Sequence, residues 1–372
     1  MNIEDFKVES WINSHESTCK YDLTNTCVGT LSVNELINLD DEPNKIMDDI
    51  LSLKLSYGKV FGSKRLRENI SGLYESAKDE NIVITHGAIC ANSLVFLSLI
   101  EPEDEVITYL PIYQQHYSIP QSIGAKVKKL YLKEENDWLP DLEELENTIT
   151  PKTKLICLNN PNNPTGALID DNMLKKIAII AEKYGAYILT DEVYRGLNHS
   201  GNPFGKSIFD IYKRGISTSS MSKTFSLPGL RLGWITAPKE VTDKINIQRN
   251  YHVISVGLIN DYLASVALEN KDKIVNRNIK ICRESLDKLD KWISAQSTIS
   301  YVKPKSGTTV FLKYNKNIKS TELCEKLQTQ TGIMLLPSST MELEGYVRVG
   351  YAYDINEVIN SLNEIFKLLD LQ

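Results

Sequence analysis

The sequence of 372 residues lacks the features that mark several large classes of protein. No run of 18 apolar residues occurs, so no membrane-spanning helix is expected. Lys and Arg (42) do not exceed Asp and Glu (48), and the net charge of −6 disfavours a nucleic acid as partner. Residues 1–9 are acidic and polar, so no secretory signal is predicted. These absences predict a cytoplasmic protein.

Cysteine and histidine are scarce and scattered. No Cys-x-x-Cys pair occurs, and neither residue type has the spacing of a metal site. We therefore expect no bound metal, and thiols that stay free in a reducing cytoplasm. The residues concerned are Cys19, Cys27, Cys90, Cys157, Cys282, Cys324, His15, His86, His116, His199 and His252.

A strand–helix–strand pattern occupies the middle of the chain. Residues 154–158 form a short apolar run typical of a buried strand, and apolar residues then recur at helical spacing from 171 to 184. Gly185 marks the end of that helix, and residues 186–190 form the next apolar run. Two strands joined by a helix predict a parallel pair with a right-handed crossover.

The predicted fold class is α/β, with a large domain whose mainly parallel sheet is flanked by helices. Residues 105–109 and 216–219 are further strand candidates. We expect residues 1–50, polar and irregular, to join the small domain or the mouth of the substrate site. Residues 51–282 then form the large domain, and residues 283–372 a smaller C-terminal α/β domain. Ligands of such sheets bind beyond the carboxyl ends of the strands.

The segment from Ser220 to Trp234 reads Ser-Met-Ser-Lys-Thr-Phe-Ser-Leu-Pro-Gly-Leu-Arg-Leu-Gly-Trp and carries the strongest functional signal. Lys223 stands between hydroxyl residues, and Arg231 follows eight positions later, after a Pro-Gly turn. The amine of a lysine can form a Schiff base with an aldehyde. The hydroxyls of Ser220 and Ser222 and the guanidinium can hold a phosphate. The motif therefore suits a phosphorylated aldehyde cofactor.

Three other segments lie at the ends of predicted strands. Residues 85–89 open a helix with small residues, whose free amides suit a phosphate. Residues 161–166 read Pro-Asn-Asn-Pro-Thr-Gly, which without context is an ordinary turn. Asp191 follows an apolar strand directly, 32 residues before Lys223, so its carboxylate is expected at the ligand-binding edge of the sheet.

In this order the motifs resemble the class I/II aminotransferase family, which are fold-type I enzymes dependent on pyridoxal 5′-phosphate (PLP). The resemblance extends from about Tyr57 to the C-terminus. It implies that Lys223 carries PLP as a Schiff base and acts as general base, and that Asp191 keeps the pyridine nitrogen protonated. Tyr194 and Asn163 match the residues that hydrogen-bond the ring oxygen.

The resemblance also assigns the phosphate and the substrate. Backbone amides of Ala88 and Ile89, with Ser220, Ser222 and Arg231, match the family's phosphate ligands. Tyr113 matches the aromatic that stacks on the pyridine ring, and Tyr57 a tyrosine that reaches the cofactor of the neighbouring subunit. Arg348, with Asn163, matches the binding site of the substrate α-carboxylate. A homodimer acting on a small amino acid and a 2-oxo acid is thereby implied.

The reaction itself stays open between two fates of one carbanion. Transamination passes the amino group to a 2-oxo acid, whereas a leaving group at the β carbon leads to elimination or replacement, as in a C–S lyase or a cyclase. We predict transamination. A weaker likeness to capreomycidine synthase, in residues 62–67, 227–234 and 304–309, keeps elimination, replacement or cyclisation of an arginine derivative as the alternative. A third possibility is the PLP-binding sensor domain of a transcription regulator. It is disfavoured by the negative charge and by the early first motif at Tyr57.

Overall fold

A computed structural model describes residues 2–370 of the chain, with side chains described up to residue 365. Within this part, the strands are β1 Tyr21–Asp22, β2 Ile82–Thr85, β3 Glu105–Leu110, β4 Lys126–Tyr131, β5 Thr153–Asn159, β6 Tyr187–Asp191, β7 Gly215–Ser220, β8 Gly233–Thr236, β9 Ile299–Ser300, β10 Thr309–Tyr314, β11 Ile333–Met334, β12 Leu336–Pro337 and β13 Tyr346–Gly350. The helices are α1 Lys7–His15, α2 Val33–Ile37, α3 Pro43–Ser52, α4 Lys64–Ser71, α5 Gly87–Leu99, α6 Gln115–Ile123, α7 Leu142–Thr148, α8 Asp171–Tyr184, α9 Ile208–Ile211, α10 Lys239–Arg249, α11 Leu258–Glu269, α12 Lys271–Ser294, α13 Ser320–Thr331 and α14 Ile355–Asp370. None of these helices is both long and apolar enough to cross a membrane.

The large sheet has the strand order β2-β8-β7-β6-β5-β3-β4. Strands β7, β6, β5, β3 and β4 run parallel to one another, and β8 runs antiparallel to both β2 and β7. The predicted unit β5–α8–β6 is confirmed. Its helix starts at the predicted residue, where Asp170 accepts a hydrogen bond from the Met173 amide, and ends at Gly185 in the left-handed conformation.

The central strands read as continuous apolar runs because both of their faces are covered. In β5, Ile156 and Leu158 belong to one buried cluster, whereas Leu155 and Cys157 belong to a second cluster on the other face. All four side chains are buried. Burial of a large apolar side chain stabilises a fold by roughly 1.5–3 kcal/mol. This core holds the carboxyl ends of the strands rigidly at one edge of the sheet.

The C-terminal part of the chain forms a second, antiparallel sheet of order β12-β13-β10-β9. Helices α12 and α13 both contact α14 beside it. The predicted division at residue 283 falls inside the continuous helix α12, so no element ends at that position. Within α12, Asn278 donates to the carbonyl of Thr224 in the large domain, a contact that ties the helix to the lysine segment.

The N-terminal segment is not irregular, contrary to the sequence-based expectation. It contains three helices and the strand β1, which pairs in parallel with β11 of the C-terminal part. Helix α1 buries Val8 and Trp11, three positions apart, and the Trp11 indole donates to the Leu335 carbonyl at 2.9 Å. Because only a narrow stripe of α1 is apolar, the polar residues around it concealed the helical pattern.

Candidate active site

A cavity of about 570 Å³ opens at the carboxyl ends of β5, β6 and β7. Its wall combines these strand ends with the N-terminal segment and with β13. The predicted site residues that line it are Ala88, Ile89, Tyr113, Asn163, Asp191, Tyr194, Ser220, Ser222, Lys223, Arg231 and Arg348. Tyr57 does not line the cavity, and its side chain is 82% exposed. Residues far apart in sequence are thus brought into one chamber, and Tyr57 is left on the surface.

Asp191 ends β6 and is held by neutral groups. It is 5% exposed, and its carboxylate accepts hydrogen bonds from the Asn92 amide at 3.0 Å and from the Val193 backbone at 3.2 Å. Nε2 of His116 lies 3.6 Å away. Among residues 2–370, no Lys or Arg pairs with this carboxylate. Since a buried charge is costly without a countercharge, the arrangement suits a ligand that brings a protonated nitrogen.

Asn92 and Thr218 support Asp191 and His116 lies beside it, and sequence reasoning missed all three. Asn92 receives a hydrogen bond from the Thr218 hydroxyl at 2.6 Å, which orients its amide toward Asp191. His116 is fully buried and packs edge to face against Phe96. A polar residue inside an apolar helix, such as Asn92 in α5, was the available signal.

The start of α5 and Arg231 form an anion-binding corner. Gly87 has a φ of +76°, and a Cβ at that position would lie 2.9 Å from Nη2 of Arg231. At Gly233, a Cβ would lie 2.5 Å from the carbonyl carbon of Gly87. Both glycines are therefore required by the close approach of backbone and guanidinium. Helix amides, the guanidinium and the nearby hydroxyls of Ser220 and Ser222 together suit a phosphate.

Lys223 meets the N-terminal segment. Its Nζ donates to the Thr26 hydroxyl and lies 3.5 Å from Sγ of Cys27. Neither of these residues was predicted, because they precede the first recognisable motif and carry no pattern of their own. The amine thus lies in the cavity between the strand ends and a loop of residues 24–27.

Asn163 connects the two sides of the cavity. Its backbone amide donates to the side chain of Asn159 at 2.7 Å, and Asn159 in turn donates to the Asp191 carbonyl at 2.9 Å. The side-chain oxygen of Asn163 accepts a bond from Arg348 at 3.3 Å. The Pro-Asn-Asn-Pro-Thr-Gly loop is therefore positioned by the sheet edge, and presents Asn163 between Asp191 and Arg348.

Arg348 is a buried cation without a carboxylate partner in the described part of the chain. It lies in the middle of β13, is 4% exposed, and donates to the Thr24 carbonyl at 2.9 Å. Its Nε has no hydrogen-bond partner. Burial lowers the pKa of the guanidinium. An anionic ligand group would supply the missing charge and acceptor.

Tyr113 and Tyr194 complete the wall. Tyr194 is buried and stands beside Gly307. The Tyr113 hydroxyl donates to the Glu9 carboxylate at 2.8 Å, and its ring contacts Phe6 at 4.7 Å between centroids. Burial, and secondarily the charge of Glu9, raise the pKa of Tyr113 above its usual range. The phenol therefore stays protonated and serves as a donor.

A mainly parallel α/β sheet with a lysine, a buried carboxylate and an anion-binding corner at its carboxyl edge defines the class of PLP-binding enzymes of fold-type I. Residues 38–365 of the chain match the family model described as "Aminotransferase class I and II". The chain therefore belongs to the class I and II aminotransferase family.

Individual relatives agree with this assignment. The chain is 32% identical over 319 residues to an aspartate aminotransferase of Pyrococcus horikoshii, covering 83% of this chain and 82% of that protein. It is 26% identical over 348 residues to capreomycidine synthase of Streptomyces vinaceus, covering 93% and 88%. A PLP-dependent aminotransferase from Streptococcus suis 89-1591 superposes with a TM-score of 0.95 at 41% identity, covering 100% and 98%.

The predicted family, fold class and dependence on PLP are confirmed. The likeness to capreomycidine synthase is also confirmed as a likeness. The roles of individual residues stay predictions, supported by the fit of the cavity. Among the described side chains, Asp191 has no Lys or Arg partner and Arg348 has no carboxylate partner. Gly87 and Gly233 leave room for a phosphate at the start of α5.

Proposed function

We propose that the protein is an aminotransferase that moves the amino group of an L-amino acid to a 2-oxo acid. The observation that carries the proposal is one cavity holding the Lys223 amine, the Asp191 carboxylate without a Lys or Arg partner, and the unpaired Arg348 guanidinium. These groups match the aldehyde and ring nitrogen of PLP and the α-carboxylate of an amino acid. When bound, PLP supplies the electron sink for the α carbon of the substrate.

Each residue then has a task that its surroundings allow. Asp191 would hold a proton on the ring nitrogen, and the bonds from Asn92 and the Val193 amide keep its carboxylate in place. Arg348 binds the α-carboxylate and so orients the substrate. With PLP bound, the amine of Lys223 would remove the proton from the α carbon of the substrate and return it as general acid.

The remaining cavity residues anchor and orient the cofactor. Arg231 and the amides of Ala88 and Ile89 bind the phosphate. Tyr113 covers one face of the ring, and Tyr194 with Asn163 donates to the ring oxygen. Since these groups are fixed by buried strand ends and by α5, they hold the cofactor without reorganisation during the reaction.

A second candidate function is β-elimination or replacement, including a cyclisation. It is favoured by the 26% identity to capreomycidine synthase over 93% of the chain. Every residue named above serves this reaction as well, because removal of the α proton is common to both. The difference lies in whether the substrate carries a leaving group at its β carbon.

A product assay distinguishes the two functions. The PLP-loaded enzyme is incubated with each L-amino acid, with and without a 2-oxo acid, and the new amino acid and ammonia are quantified. Transamination forms the new amino acid only when the 2-oxo acid is present and releases no ammonia. Ammonia without a 2-oxo acid indicates elimination, whereas a new amino acid formed without a 2-oxo acid and without ammonia indicates replacement or cyclisation. Lys223→Ala is the inactive control. Both proposals are wrong if the wild-type enzyme, like this control, forms no product from any amino acid and shows no change in cofactor absorbance.

We also propose that the enzyme is a homodimer. Exposed apolar side chains cluster in two segments that touch each other: a Cβ at Gly58 would lie 2.8 Å from the Val256 carbonyl, and the Arg249 guanidinium lies 5.9 Å from the Phe61 ring. A continuous apolar surface of this kind is typical of an interface. Its exposed members are Met47, Leu51, Leu55, Tyr57, Val60, Phe61, Ile247, Tyr251, Ile254 and Ile259. Sedimentation at the mass of a single 42.1 kDa chain would contradict the dimer.

We propose a cytoplasmic location because the cysteine thiols are free, as they are in a reducing compartment. All six cysteines are free, and Cys27, Cys157, Cys282 and Cys324 are buried without a bonded partner sulfur. Burial raises the pKa of Cys90 and Cys157, which keeps these thiols protonated and unreactive. Fractionation of cells that produce the protein should recover it with cytoplasmic markers, and recovery with exported proteins would contradict the proposal.

A further inference from the structure

The cavity wall formed by α1 carries an unpaired carboxylate. Glu9 is half-buried, lines the cavity, and uses Oε1 to accept the hydrogen bond from Tyr113. No Lys, Arg or His in the described part of the chain forms an ion pair with it. Lys7, two residues earlier, pairs instead with Glu342 at 3.0 Å. Glu9 therefore keeps its second oxygen for a group that enters the cavity.

The cations of the cavity are already committed. Those among its described lining residues are Lys223, Arg231 and Arg348. The proposed function assigns the first to the aldehyde of the cofactor, the second to its phosphate and the third to the α-carboxylate of the substrate. Among the residues that the structure describes, no fourth cation lines the cavity for a second carboxylate on the substrate side chain. A second carboxylate would instead approach Glu9 and Asp22.

Glu9 stands where the side chain of such a substrate would point. It is bonded to Tyr113, which covers the ring, and its charge acts on Arg348, which binds the α-carboxylate. Val8 and Ile12 on the same helix also line the cavity and offer apolar contact for methylene groups. A chain of methylenes along α1, ending in a cation at Glu9, would satisfy both the apolar wall and the free carboxylate oxygen.

We propose that Glu9 determines substrate specificity by binding a guanidinium or ammonium group at the end of the substrate side chain. The substrate class is then the basic amino acids and their derivatives, rather than dicarboxylic amino acids. This inference rests on the proposed function, because it takes Arg348 as the α-carboxylate site. The hydrogen bond from Tyr113 fixes the carboxylate so that one oxygen stays directed at the ligand.

Analogues without an α-amino group test the subsite apart from removal of the α proton, and an unchanged cofactor absorbance checks that the amine of 6-aminohexanoate forms no Schiff base. Arginine without its α-amino group is 5-guanidinopentanoate, and lysine without it is 6-aminohexanoate; hexanoate and adipate are the neutral and acidic counterparts. Calorimetric titration of the PLP-loaded enzyme should give a Kd for one cationic analogue at least about tenfold below that of hexanoate, as expected for a charge-assisted hydrogen bond. Adipate should bind more weakly than hexanoate. The tighter cationic analogue tells guanidinium from ammonium.

Glu9→Gln is the matched variant, because its amide oxygen still accepts the Tyr113 hydrogen bond while the charge is removed. The preference for the cationic analogue over hexanoate should fall to about twofold or less. Glu16→Gln, at the exposed end of α1, should keep the full preference. Equal affinities in the wild type, absent binding of both cationic analogues, or an unchanged preference in Glu9→Gln would each overturn the assignment.

The proposed function can fail separately. If no amino acid forms product, the reaction is wrong, although the analogue titrations still report on Glu9. If L-aspartate reacts fastest and adipate binds best, the aminotransferase proposal stands and the basic-substrate inference is wrong. If L-arginine or L-lysine turns over faster than L-aspartate, and Glu9→Gln removes or reverses this preference, the aminotransferase proposal and the basic-substrate inference are both supported.

Discussion

The cofactor half and the substrate half of the cavity are built by different means. The cofactor half uses the ends of β5, β6 and β7 and the start of α5, where Asp191 and Lys223 follow buried strands closely. The substrate half uses α1, the loop of residues 24–27 and Arg348 of β13. One half is therefore encoded in contiguous motifs, and the other is assembled from distant segments. We therefore expect the chemistry common to the family to depend on the first half and substrate selectivity on the second.

The carboxylates of Asp191 and Glu9, one in each half, differ in burial and in the number of hydrogen bonds that hold them. Asp191 is almost completely buried and is bonded by Asn92 and by the Val193 amide. Glu9 is half-buried, on a short helix, and is held by the single bond from Tyr113. The first arrangement keeps a charge rigid at one place, as a cofactor requires. The second leaves an oxygen free, and a substitution there changes few internal contacts.

The largest effect is expected at the centre of the cofactor half. Lys223→Ala removes the amine that holds the cofactor and moves the α proton, so turnover should fall by at least about 10⁴-fold. Borohydride reduction of the wild-type holoenzyme and peptide mapping should place the label on Lys223. Label on another lysine, or a colourless protein after PLP addition, would contradict the assignment.

Asp191→Asn should cost turnover without loss of the fold. The neutral amide cannot hold a proton on the ring nitrogen, so we expect kcat to fall by about 10²–10³-fold, with each 1.4 kcal/mol of barrier being roughly tenfold. Glu192→Gln is the control, because Glu192 is buried among Ser207, Ser217 and Arg195 and faces away from the cavity. It should lower the melting temperature and leave kcat nearly normal. The reverse pattern would show that Asp191 is structural.

Arg348→Gln sharpens the comparison from the substrate side. Removal of the guanidinium should reduce kcat/KM by about 10–100-fold, mainly through KM, because a charge-assisted pair with the α-carboxylate is lost. The affinity for PLP, measured by absorbance titration, should stay within about twofold of the wild type. A large loss of PLP affinity would mean that the two halves are not separable.

The smallest effect concerns Tyr57, which by the family resemblance is expected to reach the cofactor of the neighbouring subunit in a dimer. Tyr57→Ala should weaken PLP binding by about tenfold or less, as for one lost hydrogen bond to a charged group. At a PLP concentration that leaves the Tyr57→Ala enzyme mostly empty, mixing it with Lys223→Ala subunits should raise the activity, since hybrid dimers carry one site with both residues intact. Proven hybrids without recovered activity would show that each subunit works alone.

The N-terminal segment marks the limit of prediction from the sequence. The segment was expected to be irregular. Its helices were not recognised because α1 presents only Val8 and Trp11 to the core and α2 is five residues long. Short helices with narrow apolar stripes give little periodicity. The residues that reach the cavity from this segment, Glu9 and Thr26 among them, could not be found for the same reason.

The sequence by itself determined the α/β fold, the family and the cofactor, and it predicted residues that line the cofactor half of the cavity. It could do so because apolar runs, their spacing and the motifs at strand ends are local properties that survive without a structure. Only the tertiary structure decided that His116 stands behind Asp191, that Thr26 meets Lys223, and that Glu9 bonds Tyr113. Those contacts join positions about 75–200 residues apart, and pairing over such separations depends on how complete elements pack.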